Sequence, residues 1–571
     1  MERLYPIYIN KKSPCYSKDH IGNTGCPARN DIPRFLHLIK LKRFSDAFYV
    51  LKETNPFSAG CGRFCDHPCE TACNRAKFDE PVDIKALERF IADWGYKNGL
   101  TPIKKRSRNN KQIAIIGSGP SGLSCAYFLA INGYNTVVYE KHKEAGGLLT
   151  EGIPTYRYPR EIFYKELEFI KKAGVKIVTD FNVDKNRFLN ITEEFDAVIV
   201  ATGANSPNYP GIEGERLEGV QSGLEFLRKI NLGEVDKLKI VEGEKIAVIG
   251  GGYTAFDVAR VATRLKAKPM IIYRRTETEM TAHPGELKDT RDEGVDFKFL
   301  LQPYKIKKIN NKLKLICQKM KLGAVDESGR SKPIPLRGKF EEIEADRIIF
   351  AIGDNPNLYF VGDRFFIEYP RLHCPDLREE LIKKIFVTGD AAMGSAPVAG
   401  MVVRAIGLAQ DTALAVRNFL GEEIEEYNRI NDIAYFDNLN TKYFEKSSRA
   451  IEEKLKAEER RDNFDEIVKT IDESIAPLMA ERCFFCGICI QCDWCYYYSH
   501  GSIIKIKKEW SKDIDEYFYY FIKEKLGEAT YKSVEACPRA ALSVVKEKPN
   551  YKKYIDKQYI DNNAILKESK K

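Results

Sequence analysis

The sequence predicts an α/β protein with two Rossmann-like dinucleotide-binding domains, a helical cysteine-rich domain before them and a small cysteine-rich domain after them. A strand–glycine loop–helix pattern starts at Ile113 and a second one starts at Ile246. Six of the fifteen cysteines lie from Cys15 to Cys73, and six more lie from Cys483 to Cys537. A chain of 571 residues is long enough for several domains.

Changes in composition along the chain predict the domain boundaries. Apolar residues at helical spacing recur in the first hundred residues, and a polar linker, KKRSRNNK, follows at 104–111. The predicted units are the helical domain 1–105, the first dinucleotide-binding domain at 106–235 and 346–425, the second at 236–345, a charged helical linker at 426–480, the small C-terminal domain at 481–550 and a basic tail at 551–571.

Composition indicates a water-soluble protein of the cytoplasm. Hydrophobic residues make up 43% and charged residues 30% of the chain, and the formal net charge is +9. No apolar run is long enough to span a bilayer, and the first residues lack the features of a signal peptide. The basic tail is interpreted as a solvated end or, alternatively, as a contact for an acidic partner, and no basic–aromatic pattern favours nucleic acid.

The first glycine loop, in QIAIIGSGPSGLSCAYFLA, predicts a flavin nucleotide site. Glycines at the turn let the backbone approach a pyrophosphate, which is bound at the N-terminus of the following helix. A second strand ends in Glu140, about 20 residues on, where a carboxylate can accept hydrogen bonds from ribose hydroxyls. The residues predicted to bind here are Gly117, Gly119, Pro120, Ser121, Gly122 and Glu140, with Gly147 and Leu148 of a further close-approach loop.

The second glycine loop, in KIAVIGGGYTAFDVARVATRL, predicts a nicotinamide nucleotide site. The next strand ends in Arg274 and Arg275 rather than in an acid. Arginine suits the 2′-phosphate of NADP, so NADPH is favoured over NADH, and surface charge is the alternative interpretation of the pair. The predicted binding residues are Gly250, Gly252, Tyr253, Thr254, Ala255, Arg274 and Arg275.

Two strand–glycine segments, VIVATG ending at Gly203 and IIFAIG ending at Gly353, predict the crossings between the two domains. The later segment KIFVTGDAA adds Gly389, Asp390 and Ala391 to the flavin site. Asp390 can hydrogen-bond the ribityl chain or the bridging phosphate, and Ala391 offers a backbone N–H near the isoalloxazine.

The cysteines at both ends predict iron–sulfur clusters, because clustered thiols in a reducing compartment are typical metal ligands. At the N-terminus the candidates include Cys26, Cys61, Cys65, Cys69 and Cys73, with zinc as the alternative metal. At the C-terminus a CxxCxxC run and a remote Cys-Pro predict one [4Fe–4S] cluster on Cys489, Cys492, Cys495 and Cys537, as in bacterial-type ferredoxins. Cys483 and Cys486 either replace members of that set or bind a further metal.

From Ile113 to Ala415 the chain resembles the small subunit of glutamate synthase and its relatives, through GSGPSGL, GGLLTEGIP, IVATGA, VIGGGYTAFDVAR, YRR and TGDAA. Tyr253 departs from the family's usual Asn. Residues 10–95 resemble the N-terminal iron–sulfur domain of the same family. The segment 436–487 resembles the linker of a branch with a C-terminal ferredoxin-like domain, which includes the flavoprotein associated with dissimilatory sulfite reductase.

The resemblance implies ligands for the N-terminal cluster. Cys26, Cys65 and Cys69 match ligands of the flavin-proximal cluster, and Glu88 matches the position of its fourth ligand. Cys15 and Cys73 match ligands of a distal cluster whose other two ligands are absent, so they either join the single cluster or stay free. One N-terminal and one C-terminal [4Fe–4S] cluster are therefore expected.

These features together predict an NAD(P)H oxidoreductase that passes electrons through FAD and [4Fe–4S] clusters to a redox protein or a catalytic subunit. The setting favoured is a hetero-oligomer of the glutamate synthase, sulfite reductase or molybdenum/tungsten enzyme type, and reverse flow onto NAD(P)+ is the alternative direction. No acid–base catalytic residue is predicted, and no CxxC pair in the nucleotide domains supports disulfide chemistry. A nucleotide-binding scaffold without turnover is disfavoured by the intact glycines.

Overall fold

A computed structural model describes residues 5–8, 11–16, 25–103, 106–310, 312–326, 329–362, 364–393, 400–422, 433–507, 517–545 and 559–560. The chain is a mixed α/β protein with two parallel sheets, as predicted. Within these residues no helix combines the length and apolar character needed to cross a membrane. Apart from Tyr559–Ile560, the predicted basic tail lies outside the described residues.

The N-terminal region is helical. Its helices are Ile32–Lys40, Phe44–Lys52, Ser58–Phe64, Pro68–Thr71 and Ile84–Lys97, with a 3₁₀ turn at Asn74–Lys77. Asp31 caps the first helix by accepting from the backbone N–H of Arg34, 3.4 Å away, and Pro33 fits the first turn. Phe48 packs edge-on against Phe169 of the first nucleotide domain, with centroids 5.6 Å apart, so the two regions share one apolar core.

The first nucleotide domain is a seven-stranded sheet. Its strands, in spatial order, are Phe366–Glu368, Arg371–His373, Ile385–Val387, Ala197–Val200, Gln112–Ile116, Asn135–Tyr139 and Lys176–Val178. The last five are mutually parallel, and the central ones are apolar on both faces because helices cover both sides. The helices are Pro120–Ile131, Leu148–Glu151, Arg160–Lys172, Lys185–Glu194, Glu379–Ile382, Asp390–Met393 and Val402–Phe419.

The second nucleotide domain is a five-stranded parallel sheet. Its strand order is Asp296–Phe299, Lys268–Tyr273, Lys245–Ile249, Arg347–Phe350 and Val220–Ser222, with helices Gly223–Asn231, Tyr253–Arg264 and Pro284–Asp292. An antiparallel sheet of Leu301–Ile309, Lys312–Val325 and Ser331–Ala345 is attached to it. The predicted bounds of this domain, 236–345, leave out two of the five strands, Val220–Ser222 and Arg347–Phe350.

The crossings between the nucleotide domains pair with each other. Strand Ala204–Pro207 follows the first crossing segment, strand Asp354–Pro356 follows the second, and the two are antiparallel. Short 3₁₀ turns at Val235–Leu238, Glu277–Glu279 and Tyr359–Val361 complete the two domains.

The segment predicted as a helical linker is mostly extended. Between residues 433 and 481 the described helices are Ala457–Arg460 and Ala476–Glu481, with 3₁₀ turns at Phe436–Asn438 and Thr441–Tyr443. Its charged side chains bind other domains instead of each other along a helix: Glu466 pairs with Arg63 at 2.7 Å, and Arg460 pairs with Asp289 at 3.1 Å. For the described residues 433–480 the helical prediction was wrong, because their charges form ion pairs with other domains and apolar side chains such as Ile467 and Val468 pack on the second nucleotide domain from an extended backbone.

The C-terminal module contains strands Ile503–Lys507, Tyr517–Ile522, Leu542–Val545 and Tyr559–Ile560 and helices Trp494–Tyr498 and Glu528–Glu535, with a 3₁₀ turn at Lys523–Lys525. Tyr5–Tyr8 pairs antiparallel with Leu542–Val545. The two ends of the chain are therefore joined by a β-ladder.

Candidate functional site

The first glycine loop has the backbone that its sequence predicts. Gly117 has a φ of +106°, and a Cβ there would lie 2.5 Å from the carbonyl oxygen of Ala201. A Cβ on Gly122 would lie 2.0 Å from the carbonyl oxygen of Gly117. No described atom lies within 4 Å of a Cβ built on Gly119, because this glycine faces an open cavity at the N-terminus of helix Pro120–Ile131. The loop therefore fits a bound pyrophosphate.

The cavity beside this loop has a volume of about 500 Å³. Nine of the residues predicted for the flavin site line it: Gly117, Gly119, Pro120, Ser121, Glu140, Gly147, Leu148, Gly203 and Asp390. Gly122, Gly389 and Ala391 lie behind this lining, and a Cβ on Gly389 would lie 2.3 Å from the Ser121 hydroxyl oxygen. The glycines at these positions allow close packing below the cavity floor.

Glu140 is held at the end of its strand with its carboxylate toward the cavity. It is 5% exposed, and Oε2 accepts hydrogen bonds from the hydroxyl of Ser118 at 2.6 Å and from its backbone N–H at 3.1 Å. Oε1 accepts the backbone N–H of His142 at 2.9 Å. Each carboxylate oxygen has two acceptor sites, so capacity remains for ribose hydroxyls.

Two aspartates line the same cavity: Asp354, directly after the second crossing segment, and Asp390, after Gly389. Burial raises the pKa of Asp390, and the backbone N–H of Gly400 donates to it at 3.0 Å. Burial and the nearby Asp390 raise the pKa of Asp354 to about 6. Both residues line the cavity, so the flavin site has a carboxylate pair that the sequence prediction described only at Asp390.

Sequence reasoning missed a charged group at the cavity edge. Arg228 of helix Gly223–Asn231 lies 3.2 Å from Glu151 and contacts the ring of His142. Burial and the Arg228 charge lower the pKa of His142 to about 4, so its ring is neutral at neutral pH. Arg228 lies in no recognisable motif, and it reaches the cavity only because the second sheet packs beside the first.

The second glycine loop repeats this plan. Gly250 has a φ of +150°, and a Cβ there would lie 2.3 Å from the carbonyl oxygen of Ala351. Gly252 caps helix Tyr253–Arg264, in which Thr254 occupies the first turn and Ala255 is buried. The hydroxyl of Tyr253 accepts the backbone N–H of His283 at 3.1 Å.

The two arginines after the next strand differ in their surroundings. Arg275 is 5% exposed and binds Asp326 at 2.8 Å and the carbonyl oxygen of Ser331 at 2.8 Å, both from the antiparallel hairpin. Arg274 is exposed. Arg275 therefore has a structural role in this arrangement, whereas the side chain of Arg274 is accessible to a ligand.

A second cavity, of about 220 Å³, lies between the second nucleotide domain and the N-terminal helices. Tyr253 and His283 of the nucleotide domain line it together with Cys65 and His67 of the N-terminal region. The rings of His67 and His283 lie 4.8 Å apart, so the two regions are in contact at this cavity.

The N-terminal cysteines surround Glu88, as the family resemblance implies. The thiols of Cys26, Cys65 and Cys69 are buried among one another and beside Glu88. Burial raises the pKa of Glu88 to about 8, although the amides of Asn30 and Asn55 donate to its Oε1 at 3.1 and 2.8 Å.

The backbone at Cys26 suits an anionic sulfur. Burial and Glu88 raise the pKa of the Cys26 thiol to about 12, and this rise is opposed by the backbone N–H groups of Ala28, Arg29 and Asn30. Three converging N–H groups form an anion-binding concavity, which fits a cluster thiolate. Cys61 is 1% exposed, with its thiol 4.0 Å from Asn55 Oδ1 and near Glu88.

The C-terminal ferredoxin-type cysteines line one small cavity. All four predicted ligands, Cys489, Cys492, Cys495 and Cys537, contribute to its wall. Asp493, in a left-handed conformation between them, accepts hydrogen bonds from Lys505 at 2.7 Å and from the hydroxyl of Tyr519 at 2.5 Å, which fixes the loop. Cys73, Cys483 and Cys486 lie apart from this wall, at the contact with the N-terminal helices. In the described part of the chain no group of three or more His, Cys, Asp or Glu side chains is arranged to hold a single metal ion.

Helix Val402–Phe419 connects the flavin cavity to the N-terminal cysteines. Ala405 at its start lines the cavity. Farther along, the Gln410 amide donates to the carbonyl oxygen of Ala28 at 2.7 Å, and Asp411 binds Arg29 at 2.7 Å. The segment that carries Cys26 is thus held against a helix of the flavin domain.

Comparisons with known proteins agree with this architecture. Residues 111–411 match the family described as pyridine nucleotide-disulphide oxidoreductase, and residues 10–100 match dihydropyrimidine dehydrogenase domain II, 4Fe-4S cluster. FAD, NAD(P) and 4Fe–4S clusters are therefore the cofactors of this chain. The cysteines of its nucleotide domains, Cys125, Cys317 and Cys374, are all buried and free.

Three curated relatives cover most of the chain. A Geobacter sulfurreducens NADPH-Fe(3+) oxidoreductase subunit beta is 32% identical over 84% of this chain and 76% of its own length. A Moorella thermoacetica NADP(+)-dependent formate dehydrogenase subunit beta is 35% identical over 69% of this chain and 59% of its own length. The Escherichia coli K12 glutamate synthase [NADPH] small chain is 32% identical over 69% of this chain and 87% of its own length. The predicted family is confirmed: the chain belongs to the pyridine nucleotide-disulphide oxidoreductases and, among them, to the flavin and iron–sulfur relatives of the glutamate synthase small chain.

Proposed function

We propose that this chain takes electrons from NADPH and delivers them singly to a protein partner in the cytoplasm. The observation that carries the proposal is that helix Val402–Phe419 lines the flavin cavity with Ala405 and holds the segment of Cys26 through Gln410, while Cys65 shares a cavity with Tyr253, next to the second glycine loop. When bound, FAD accepts the hydride of NADPH and releases its two electrons one at a time to iron–sulfur clusters, with the proton passing to solvent.

The side chains of this protein bind and orient the nucleotides. The backbone at Gly119 and the carboxylate of Glu140 fix one nucleotide, and the backbone at Gly252 fixes the other. Arg274 is the accessible cation for a 2′-phosphate, which supports NADPH over NADH. The names of the three relatives specify NADPH or NADP(+), which favours the same choice.

A protein partner is supported by the relatives, which are named as subunits or chains of larger enzymes. We infer that this chain is likewise the electron-input subunit of a hetero-oligomer. The fifteen free cysteines support a reducing compartment.

The test is an oxygen-free purification of the full chain followed by dye reduction with NADPH and with NADH. We expect bound flavin and faster dye reduction with NADPH. Affinity purification from the native cell then separates two settings: a stoichiometric companion enzyme supports a subunit, and an active single chain supports a stand-alone oxidoreductase. Bound flavin that neither nucleotide reduces contradicts the proposal.

A further inference from the structure

Four cysteines from three distant segments meet where the N-terminal helices contact the C-terminal module. They are Cys15, Cys73, Cys483 and Cys486. The segment around Cys15 is bound directly to the C-terminal pair: the hydroxyl of Ser13 donates to the carbonyl oxygen of Cys486 at 2.6 Å, and the backbone N–H of Lys11 donates to that of Gly487 at 2.8 Å.

The segment after Cys73 is bound to the same pair. The amide of Asn74 donates to the Cys486 sulfur at 3.3 Å. The guanidinium of Arg75 donates to the carbonyl oxygen of Arg482, next to Cys483, at 2.5 Å. Hydrogen bonds on both sides thus fix the three segments around one point.

The side chains of these residues are grouped at that point. Cys15 belongs to the apolar core of the N-terminal region, and Cys73 and Cys483 pack against the same core. The Cys486 sulfur accepts the amide of Asn74, the neighbour of Cys73, and its carbonyl oxygen accepts the hydroxyl of Ser13, two residues before Cys15.

Backbone donors surround these sulfurs as they surround Cys26. The backbone N–H of Phe485, which has a positive φ of 52°, donates to the Cys483 sulfur at 3.3 Å. The backbone N–H groups of Arg75, Ala76 and Val82 point at the Cys73 sulfur and favour its thiolate. Such donors stabilise the negative sulfurs of a cluster.

A buried cation lies beside the group. Arg539 is 5% exposed, and no hydrogen-bond partner among the described residues reaches its Nε or Nη1. Its charge acts on Cys483, Cys486 and Cys489. The rings of Tyr443, Phe444 and Phe485 lie within 6.0 Å of this guanidinium, but its two nitrogens without acceptors remain costly to bury unless an anionic group lies nearby. Thiolate-bound clusters on its two sides would supply that negative charge.

We propose that Cys15, Cys73, Cys483 and Cys486 hold a [4Fe–4S] cluster shared by the two ends of the chain, in addition to the N-terminal and C-terminal clusters. The site lies between those two. The backbone N–H of Cys26 donates to the carbonyl oxygen of Cys15 at 2.7 Å, and the backbone N–H of Gly487 donates to that of Arg539, near Cys537, at 2.6 Å. The three sites therefore form a continuous series from the flavin domain to the C-terminal module.

The test is an iron and acid-labile sulfide count on the full chain purified without oxygen. Three [4Fe–4S] clusters give about twelve irons and about twelve sulfides per chain. Cys15→Ala/Cys73→Ala and Cys483→Ala/Cys486→Ala should each lower both counts by about a third. Because the site is shared, the quadruple variant should lose no more than either double variant. The matched control, Cys317→Ala/Cys374→Ala, removes two buried thiols outside the three groups and should keep the wild-type counts.

Electron paramagnetic resonance of the dithionite-reduced proteins gives a second measurement: both double variants should lose the same spectral component. A wild-type count of about eight irons, a further loss in the quadruple variant, or zinc without sulfide in place of four irons would overturn the proposal. The wild-type count decides the question even if a variant fails to fold. Flavin content and bleaching by NADPH, measured on the same samples, test the proposed function separately, because neither depends on these four thiols.

Discussion

The two glycine-loop units share one backbone plan but differ in what surrounds their first helix. Helix Pro120–Ile131 of the flavin unit has eleven of its twelve residues buried, and it packs among apolar side chains. Helix Tyr253–Arg264 of the nicotinamide unit is also largely buried, but it carries Asp257, Arg260 and Arg264 into a network of ion pairs.

This difference shows which parts of a nucleotide site are local. The glycine positions follow from backbone contacts within the strand, loop and helix, and they recur in both units. The charged network depends on partners from outside the unit: Arg157 binds Asp257 at 2.9 Å, and Glu293 binds both Arg260 and Arg264. At the flavin cavity no described cation pairs with Asp354 or Asp390, whereas Asp257 on helix Tyr253–Arg264 pairs with Arg157.

Removal of Glu293, which pairs with two arginines of helix Tyr253–Arg264, should have the largest effect on stability. Glu293 is inaccessible to solvent and lies 2.6 Å from Arg260 and 2.7 Å from Arg264. Glu293→Ala leaves Arg264 without a carboxylate among the described residues and leaves Arg260 with Glu286 alone, so we expect the free energy of unfolding to fall by about 4 kcal/mol. Urea unfolding measures it. Glu168→Gln, an exposed acid on a flavin-domain helix, is the control and should change nothing; equal stability of the two variants would show that the network is dispensable.

Substitutions at two glycines separate packing from ligand contact in the flavin unit. Gly122→Ala places a methyl group against the carbonyl oxygen of Gly117, and we expect a loss of about 3 kcal/mol of stability together with the flavin. Gly119→Ala meets no described protein atom and should lose flavin without a change in the unfolding temperature of the flavin-free protein. Bound flavin and thermal unfolding are the measurements. Retention of flavin by Gly119→Ala would place the pyrophosphate elsewhere.

The carboxylate of Asp354, which pairs with no cation among the described residues, should make stability depend on pH. Its pKa in the folded chain is raised to about 6 by burial and by Asp390, so its contribution is favourable in acid and is lost as the pH rises through about 6. Asp354→Asn should therefore stabilise the protein by about 2 kcal/mol at pH 7.5, with the gain shrinking toward pH 5. Urea unfolding of variant and wild type across this range tests the sign. A gain that does not vary with pH would exclude titration of Asp354 as its cause.

Substitution of the two arginines after the second loop should have different effects: Arg274 should affect the choice between NADPH and NADH, and Arg275 should affect stability. Arg274→Ala removes the accessible cation, and we expect KM for NADPH to rise about tenfold with KM for NADH unchanged. Arg275→Ala breaks the contacts with Asp326 and Ser331, so it should lower stability and change KM for both nucleotides alike. Steady-state dye reduction with each nucleotide measures both. If only Arg275→Ala lost the preference for NADPH, Arg275 and not Arg274 would be the residue that binds the 2′-phosphate.

The family and the α/β fold with two nucleotide domains could be predicted from the sequence, because their determinants are local. The turns at Gly117 and Gly250 and the position of Glu140 are each specified by short spacings, and their roles as nucleotide ligands stay predictions. Sequence reasoning failed at residues 433–480 of the linker, where side chains such as Glu466 find tertiary partners instead of helical neighbours. It also left Cys15 and Cys73 without counterparts, because the cysteines that we propose for the same site, Cys483 and Cys486, lie more than 400 positions away. Arg228 escaped notice because it lies in no recognisable motif and meets Glu151 only through the packing of the two nucleotide domains.

The most direct test of the central claim is anaerobic mixing of NADPH with the purified full chain while the flavin and cluster absorbances are recorded. The account predicts bound FAD and inorganic sulfide, prompt bleaching of the flavin, and uptake of more than two electrons per flavin as the clusters fill. A protein that carries neither flavin nor sulfide, or a bound flavin that NADPH leaves oxidised, would contradict it.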